Sequence, residues 1–146
     1  MIIQFKAVSP VTLGDDLAQI SAGVRWTVKL ENWGLTCRVQ EEDLPEPNGG
    51  VPFIRPLGNS KGPLVFLARR SFDTFSSGVA DFADKLALVN VQDSLVLMPY
   101  GNAAGQKKFT YANSVCESVH RAPESDGVKW VVRYQFRIGA QTVTTI

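Results

Sequence analysis

The chain has 146 residues, 15 of them basic and 14 acidic, and a formal net charge of +1. This length fits one domain, residues 1–146, that buries a core without metal or disulfide staples. The near-neutral balance lacks the basic excess of a general nucleic-acid binder, so we expect no specific nucleic-acid binding. The first residues lack the basic start and long apolar run of a signal peptide, and no segment is apolar enough to span a membrane. These features predict a cytoplasmic protein with no membrane partner.

The N-terminal part of the sequence alternates between apolar and polar residues. Ile2 to Ala7 reads as a first strand, and Val24 to Glu31 as a second. Asn32-Trp33-Gly34 has the composition of a tight loop, and Leu35 to Val39 resumes the alternation. The pattern predicts a β-hairpin from about Val24 to Glu41.

The segment from Glu42 to Pro63 differs from the rest, because it contains five of the eight prolines and four of the twelve glycines. Proline removes backbone donors and glycine adds chain entropy, which predicts a long irregular loop. Its apolar residues are too many for a plain solvated linker. Two interpretations stay open: a loop that covers its own domain, or an arm that contacts a neighbouring subunit. The candidate contact residues of such an arm are Val51, Phe53, Ile54 and Leu57.

One helix is predicted, from Phe75 to Asn90, with Thr74, Ser76 or Ser77 as its N-cap. Its apolar residues recur at helical spacing, which predicts a stripe packed on the core. The stripe consists of Phe75, Val79, Phe82, Ala83 and Leu86.

Three strands follow the helix, at Leu95 to Met98, Lys108 to Val119 and Val128 to Ile138. The run Ala112-Asn113-Ser114 in the second strand has the small residues of a bulge. In the third strand every even-numbered residue is large and apolar, which predicts one buried face and one solvated face. Gln141 to Ile146 adds a short extension.

The charges of the third strand share the face opposite its apolar residues. This face is either a solvated sheet surface or a charged subunit contact or barrel lumen. It carries Lys129, Arg133 and Arg137.

Together these patterns predict a mainly β (α+β) fold. We expect an antiparallel sandwich or a split β-barrel, with one packed α-helix and a long Pro/Gly-rich loop over about residues 42–63.

Few residues point to catalysis or to metal binding. His120 is the only histidine, and Cys37 and Cys116 lack the spacing of a zinc site. In a straight strand, Cys116 and His120 would be about 13 Å apart, too far for a catalytic dyad. We therefore predict no catalytic residue, no metal and no cofactor, and favour two reduced core thiols over a disulfide.

From residue 65 to residue 139 the order strand, helix, strand, strand, strand resembles the bacteriophage tail-tube and tail-associated split-barrel family. The resemblance rests on Asp93-Ser94-Leu95-Val96-Leu97 after the helix, on Tyr111 to Val119, and on Trp130 to Phe136 as the closing strand. It covers about half of the chain and depends on pattern more than on identity. It implies that Glu42 to Pro63 is an inter-subunit arm.

The resemblance also implies a function. The protein would be a non-enzymatic component of a phage or prophage tail, in the host cytoplasm or the virion, and a homo-oligomer or a partner of other tail proteins.

Two other functions stay open. A ligand- or carbohydrate-binding β-domain would use an exposed aromatic platform, for which Trp33 is the best candidate beside Trp26 and Tyr100. A hydrolase is the third alternative.

Overall fold

A computed structural model describes residues 1–16, 26–33, 35–43 and 52–146; for residues 35–43 and 52–61 the description covers the backbone alone. Ten strands and one helix are formed in this part of the chain. The strands are β1 Ile2–Phe5, β2 Val11–Asp15, β3 Thr27–Asn32, β4 Leu35–Asp43, β5 Pro52–Lys61, β6 Leu64–Ser71, β7 Gln92–Met98, β8 Lys107–Arg121, β9 Lys129–Arg137 and β10 Ala140–Thr145. The helix is α1, Phe75–Leu86.

The main sheet is antiparallel and has the strand order β2-β1-β7-β8-β9-β6-β3, with β10 paired to β8 beside β9. Its two end strands meet at one bridge, where Asp15 N–H donates to the Trp26 carbonyl over 2.9 Å. Gly14 allows this approach, since a Cβ there would collide with Val28. The sheet is therefore open but curled, and the predicted mainly β (α+β) class, an antiparallel sheet with one packed helix, is confirmed. The arrangement is consistent with either predicted form, a sandwich or a split barrel.

The closing strand β9 follows the predicted alternation. Its even-numbered residues are buried and belong to the core, where they contact residues of other strands. Phe136 contacts Phe5 edge-on with ring centroids 5.0 Å apart, and Tyr134 stacks on Phe66 at the same separation. Val131 is also buried, although it lies on the other face. Aromatic packing inside the curled sheet therefore forms the centre of the core.

The predicted bulge at Ala112-Asn113-Ser114 is confirmed. Opposite Asp93 to Leu95 of β7, strand β8 runs from Ser114 to Tyr111, so it contains one extra residue. Asn113 takes a positive φ of 54°. A second register shift follows between Cys116 and Ser118. The two irregularities bend this long strand, so that it pairs with β9 along one part and with β10 along another.

Two predictions about the N-terminal half are wrong. Strand β3 does not form a hairpin with Leu35–Asp43 but pairs antiparallel with β6. Within the segment from Glu42 to Pro63, predicted as an irregular loop, Pro52–Lys61 is instead strand β5, which pairs along its length with β4. Residues 44–51 lie outside the described residues. Tertiary pairing overrides the unfavourable strand propensity of Pro and Gly here, and the register shift between Arg38 and Val39 accommodates Pro56 and Gly58.

The helix begins as predicted and ends four residues early. Thr74 is the N-cap, and its hydroxyl accepts a hydrogen bond from Ser77 N–H over 3.2 Å. After Leu86 the chain forms turns, and Asn90 adopts a positive φ of 68°. Asn90 N–H then donates to the Cys116 carbonyl, which leads the chain back into the sheet.

Candidate interaction surfaces

The helix contacts the sheet through a glycine. A Cβ at Gly78 would collide with the Trp130 indole, so only glycine allows the helix to lie this close. The Phe75 and Phe82 rings flank the indole at 5.7 and 5.5 Å. The Arg121 guanidinium lies 4.1 Å from the Trp130 ring centroid. The buried face of the helix is thus centred on Gly78.

Because the helix packs on the sheet through Gly78, most of the predicted apolar stripe faces solvent. Phe75 is 52% exposed, Val79 44% and Leu86 43%, and Ala83 is exposed as well. Only Phe82 of the stripe is half-buried against the core. The prediction that the stripe packs on the core is therefore wrong for Val79, Ala83 and Leu86, whereas Phe75 contacts Trp130 with part of its ring. Gly78 was the signal in the sequence, because a glycine inside a helix often marks a close approach.

A large exposed apolar stripe on a helix is typical of a protein-binding surface. We call Phe75, Val79, Ala83 and Leu86 the helix stripe.

The strands β4 and β5 form a separate two-stranded sheet, which we call the ribbon. The strands that flank it, β3 and β6, are antiparallel neighbours in the main sheet, with Asn32 paired to Val65. The ribbon is therefore an insertion in the turn of the β3–β6 hairpin. Two-stranded sheets are marginally stable alone.

Three of the four candidate contact residues of the predicted arm lie on the ribbon. Phe53, Ile54 and Leu57 belong to β5, and Val51 lies outside the described residues. These three residues therefore lie on the same strand. Their proposed role in subunit contact stays a prediction.

The candidate platform Trp33 is half-buried rather than exposed. Its indole N–H donates to the Tyr111 hydroxyl over 2.6 Å, and its ring meets Phe109 edge-on at 5.2 Å. Trp26 is buried, whereas Tyr100 is 77% exposed. An aromatic binding surface would therefore depend on Tyr100 and not on Trp33.

The candidate chemical residues do not converge. Cys116 is buried and free, and burial raises the pKa of its thiol to about 11. His120 is exposed, on the opposite side of the register shift that follows Cys116. The side chain of Cys37 lies outside the description. Within the described ranges, no three His, Cys, Asp or Glu side chains are grouped as a metal site.

Tyr134 carries a buried polar atom in the core. Its side chain is fully buried, and burial raises the pKa of its phenol above the usual range. Its hydroxyl has no hydrogen-bond partner among the residues that the structure describes. The phenol therefore stays neutral and works as an aromatic packing group.

The charges of β9 lie on the solvated face, as the alternation predicts. Arg133 pairs with Glu31 over 3.1 Å, and Arg137 pairs with Glu117 over 3.4 Å. These exposed pairs neutralise two of the three cations and add little stability. Lys129 is exposed.

An open groove crosses the outer face of β3, β6 and β9. Its floor is apolar, from half-buried Leu67 and buried Val131, and two exposed cations, Lys29 and Arg69, stand at its rim. Thr27 and Val28 complete its lining. This chemistry suits a small anion with an apolar part.

Comparison with models of known protein families, and with curated protein sequences, finds no match. Among the described helical residues, none belongs to a helix with the length and apolar character needed to cross a membrane.

Proposed function

We propose that this chain is a non-enzymatic structural or assembly component of a phage or prophage tail. It acts through contacts with copies of itself or with other tail proteins, in the host cytoplasm, the virion or both. The observation that carries the proposal is the ribbon, an insertion in a hairpin turn whose two strands pair only with each other within the described residues.

The order of the elements supports the same proposal. Strand β6, helix α1 and strands β7, β8 and β9 follow one another as in the tail-tube and tail-associated family. The helix stripe is an exposed apolar surface that suits a protein partner.

The mechanism of such a component is geometric. The ribbon of one protomer adds backbone pairing and apolar burial to a neighbouring protomer, in the manner of strand addition. Contacts that repeat head-to-tail close a ring or continue into a tube, depending on the rotation at each step. Lys29, Arg69 and similar surface charges then set the orientation of the partner rather than the affinity.

The test is to excise the ribbon and keep the main sheet. Because Asn32 and Val65 are paired, Trp33 lies opposite Leu64, and a two-residue Asn-Gly turn can join these two residues in place of residues 34–63. We expect a folded protein, by circular dichroism and thermal unfolding, that no longer assembles with itself or with tail proteins. A control keeps the ribbon and changes Phe53, Ile54 and Leu57 to serine.

The control separates apolar contact from backbone pairing. Loss of assembly in both variants supports contact through the apolar residues, and loss in the excised variant alone supports contact through the backbone. Normal assembly of the folded, excised protein would overturn the proposal.

A small-ligand-binding β-domain is the second candidate, and the outer groove favours it. The cations Lys29 and Arg69 fit an anionic ligand better than a neutral sugar. Calorimetric titration with short aliphatic carboxylates and with neutral sugars tests this function. Binding of a carboxylate that is lost in Lys29→Ala and Arg69→Ala supports it, and no binding of either class removes it.

A further inference from the structure

Strand β10 is exposed along its whole length. All six side chains from Ala140 to Thr145 are exposed, so none of them belongs to the core. The strand is nonetheless regular, since it pairs with β8 from Ala112 to Lys107 without a register shift. On its inner side the strand is held by backbone pairing and by one side-chain hydrogen bond, in which Lys107 Nζ of β8 donates to the Thr145 hydroxyl over 2.8 Å.

The position of β10 is fixed where β9 ends. Both strands pair with β8, β9 along Val115 to Arg121 and β10 along Lys107 to Ala112. The chain passes from one to the other at Gly139, where a Cβ would collide with the Ala112 carbonyl. Gly139 N–H donates to the Ser114 hydroxyl over 3.2 Å. At the other end, Ile146 N–H donates to the Gln106 carbonyl, and the Ile146 carbonyl accepts from Gly105 N–H.

The outer edge of β10 is open to a further strand. Within the described part of the chain, β10 pairs with β8 and with no other strand. The backbone groups of Ile146 point toward β8, and alternation then turns those of Gln141, Val143 and Thr145 outward.

Natural edge strands are usually blunted by charge, proline, a bulge or a covering element. The sequence Ala-Gln-Thr-Val-Thr-Thr has neither a charge nor a proline, and its pairing has no bulge.

We infer that this edge pairs with the β10 strand of a second copy, antiparallel and around a two-fold axis at Val143. In this register the outward residues face one another, Val143 against Val143 and Gln141 against Thr145, and each pair exchanges two N–H···O bonds. Thr142 faces Thr144 between them, and Thr–Thr pairs are favourable across strands.

The choice of a second copy follows from the chemistry of the edge. With no charged residue in β10, self-pairing brings no like charges opposite one another. It also covers Val143, which is 47% exposed. That the contact serves protein assembly rests on the proposed function. The geometry of the contact depends on β10 alone.

The first experiment uses two changes at one residue. Val143→Pro removes an outward N–H and leaves the pairing with β8 intact, whereas the matched control Val143→Ala keeps this donor. We expect the wild-type protein and V143A to form a two-fold contact by sedimentation velocity, and V143P to weaken this association by at least about tenfold. Val143→Lys, which needs no backbone change, should weaken it as well.

The second experiment fixes the register. In a Cys37→Ser background, proteins carrying Thr142→Cys and Thr144→Cys are mixed under mild oxidation. The inferred register predicts disulfide dimers in the mixture, because residues 142 and 144 face each other, and few dimers in either protein alone.

The outcomes separate this inference from the proposed function. Association that is equal in V143P, V143K and V143A overturns the inference, as does a wild-type protein that stays monomeric. If association survives these changes but is lost on excision of the ribbon, the inference fails and the proposed function stands. If it is lost in V143P and V143K but not on excision, the edge contact stands and the ribbon proposal fails.

Discussion

At the scale of single residues, two tyrosines in the core differ in how their hydroxyls are satisfied. The Tyr111 hydroxyl accepts the Trp33 indole N–H over 2.6 Å, whereas the Tyr134 hydroxyl is buried without a partner among the described residues. A buried polar group without a partner costs stability, and a hydrogen-bonded one does not. The Tyr111 hydroxyl therefore stabilises the fold, whereas the Tyr134 hydroxyl destabilises it.

Replacing each tyrosine with phenylalanine tests this difference. Tyr134→Phe removes a hydroxyl that has no partner, so the free energy of unfolding should stay equal or rise by about 1 kcal/mol. Tyr111→Phe leaves the Trp33 N–H without its acceptor and should lower it by about 1 kcal/mol. Denaturant unfolding of the two variants measures both values. A loss for Tyr134→Phe as large as for Tyr111→Phe would contradict the assignment.

The second prediction for a single residue concerns the reactivity of the buried Cys116 thiol. Burial holds its pKa at about 11, above the usual value, so the thiol is neutral in the folded protein and ionises more readily in the unfolded chain. Its contribution to stability is complete below the unfolded pKa near 9 and is lost as the pH rises toward 11. Native Cys37→Ser protein should therefore resist thiol reagents at neutral pH and react after unfolding. Fast labelling of the native variant would contradict this account.

At the scale of elements, the sequence predicts the helix well and its orientation poorly. Thr74, the start at Phe75 and the apolar periodicity were all readable, because capping and helical spacing are local properties. The direction of the stripe was not, because it depends on Gly78 against Trp130, residues far apart in the sequence. The buried face of β9 is predicted correctly, because the alternation of apolar and polar residues along a strand is itself a local pattern.

The glycine in the helix gives a prediction about packing. Gly78→Ala improves helix propensity by about 1 kcal/mol, but its methyl group meets a Trp130 ring held by Phe75, Phe82 and Arg121. Overpacking of about 1–3 kcal/mol should outweigh the gain and lower the free energy of unfolding. Ser76→Ala, at an exposed position of the same helix, is the control and should change it by less than about 0.5 kcal/mol. A Gly78→Ala protein more stable than the control would show that the helix does not lie as described.

The exposure of the helix stripe is tested by the same substitution at two leucines. Leu86 is 43% exposed and Leu88 only 7% exposed. Leu88→Ala should cost about 2–5 kcal/mol, as for a buried leucine, whereas Leu86→Ala should cost less than about 1 kcal/mol in the isolated protein. Equal costs measured by denaturant unfolding would mean that Leu86 is covered.

At the scale of the whole molecule, sequence patterns gave the fold class but not the connections between strands. The hairpin predicted from Asn32-Trp33-Gly34 joined strands that are adjacent in sequence. In the structure β3 pairs instead with β6, which follows the ribbon in the sequence. Strand β5 was not predicted, because its proline and glycine residues have low strand propensity and local propensity does not indicate pairing with β4. Long-range pairing is the part of the fold that a single sequence specifies least clearly.

The same pairing places three features outside the core. The curled sheet encloses its aromatic core, while the ribbon, the helix stripe and the edge of β10 lie at its periphery. We propose that the protein works by assembling through these three features.

The most direct test of this claim is the mass of the purified wild-type protein by light scattering across a concentration series, with electron microscopy of large species. We predict masses above that of the 16.0 kDa monomer which rise with concentration, and rings or tubes among the large species. A strict monomer at every concentration would contradict self-assembly.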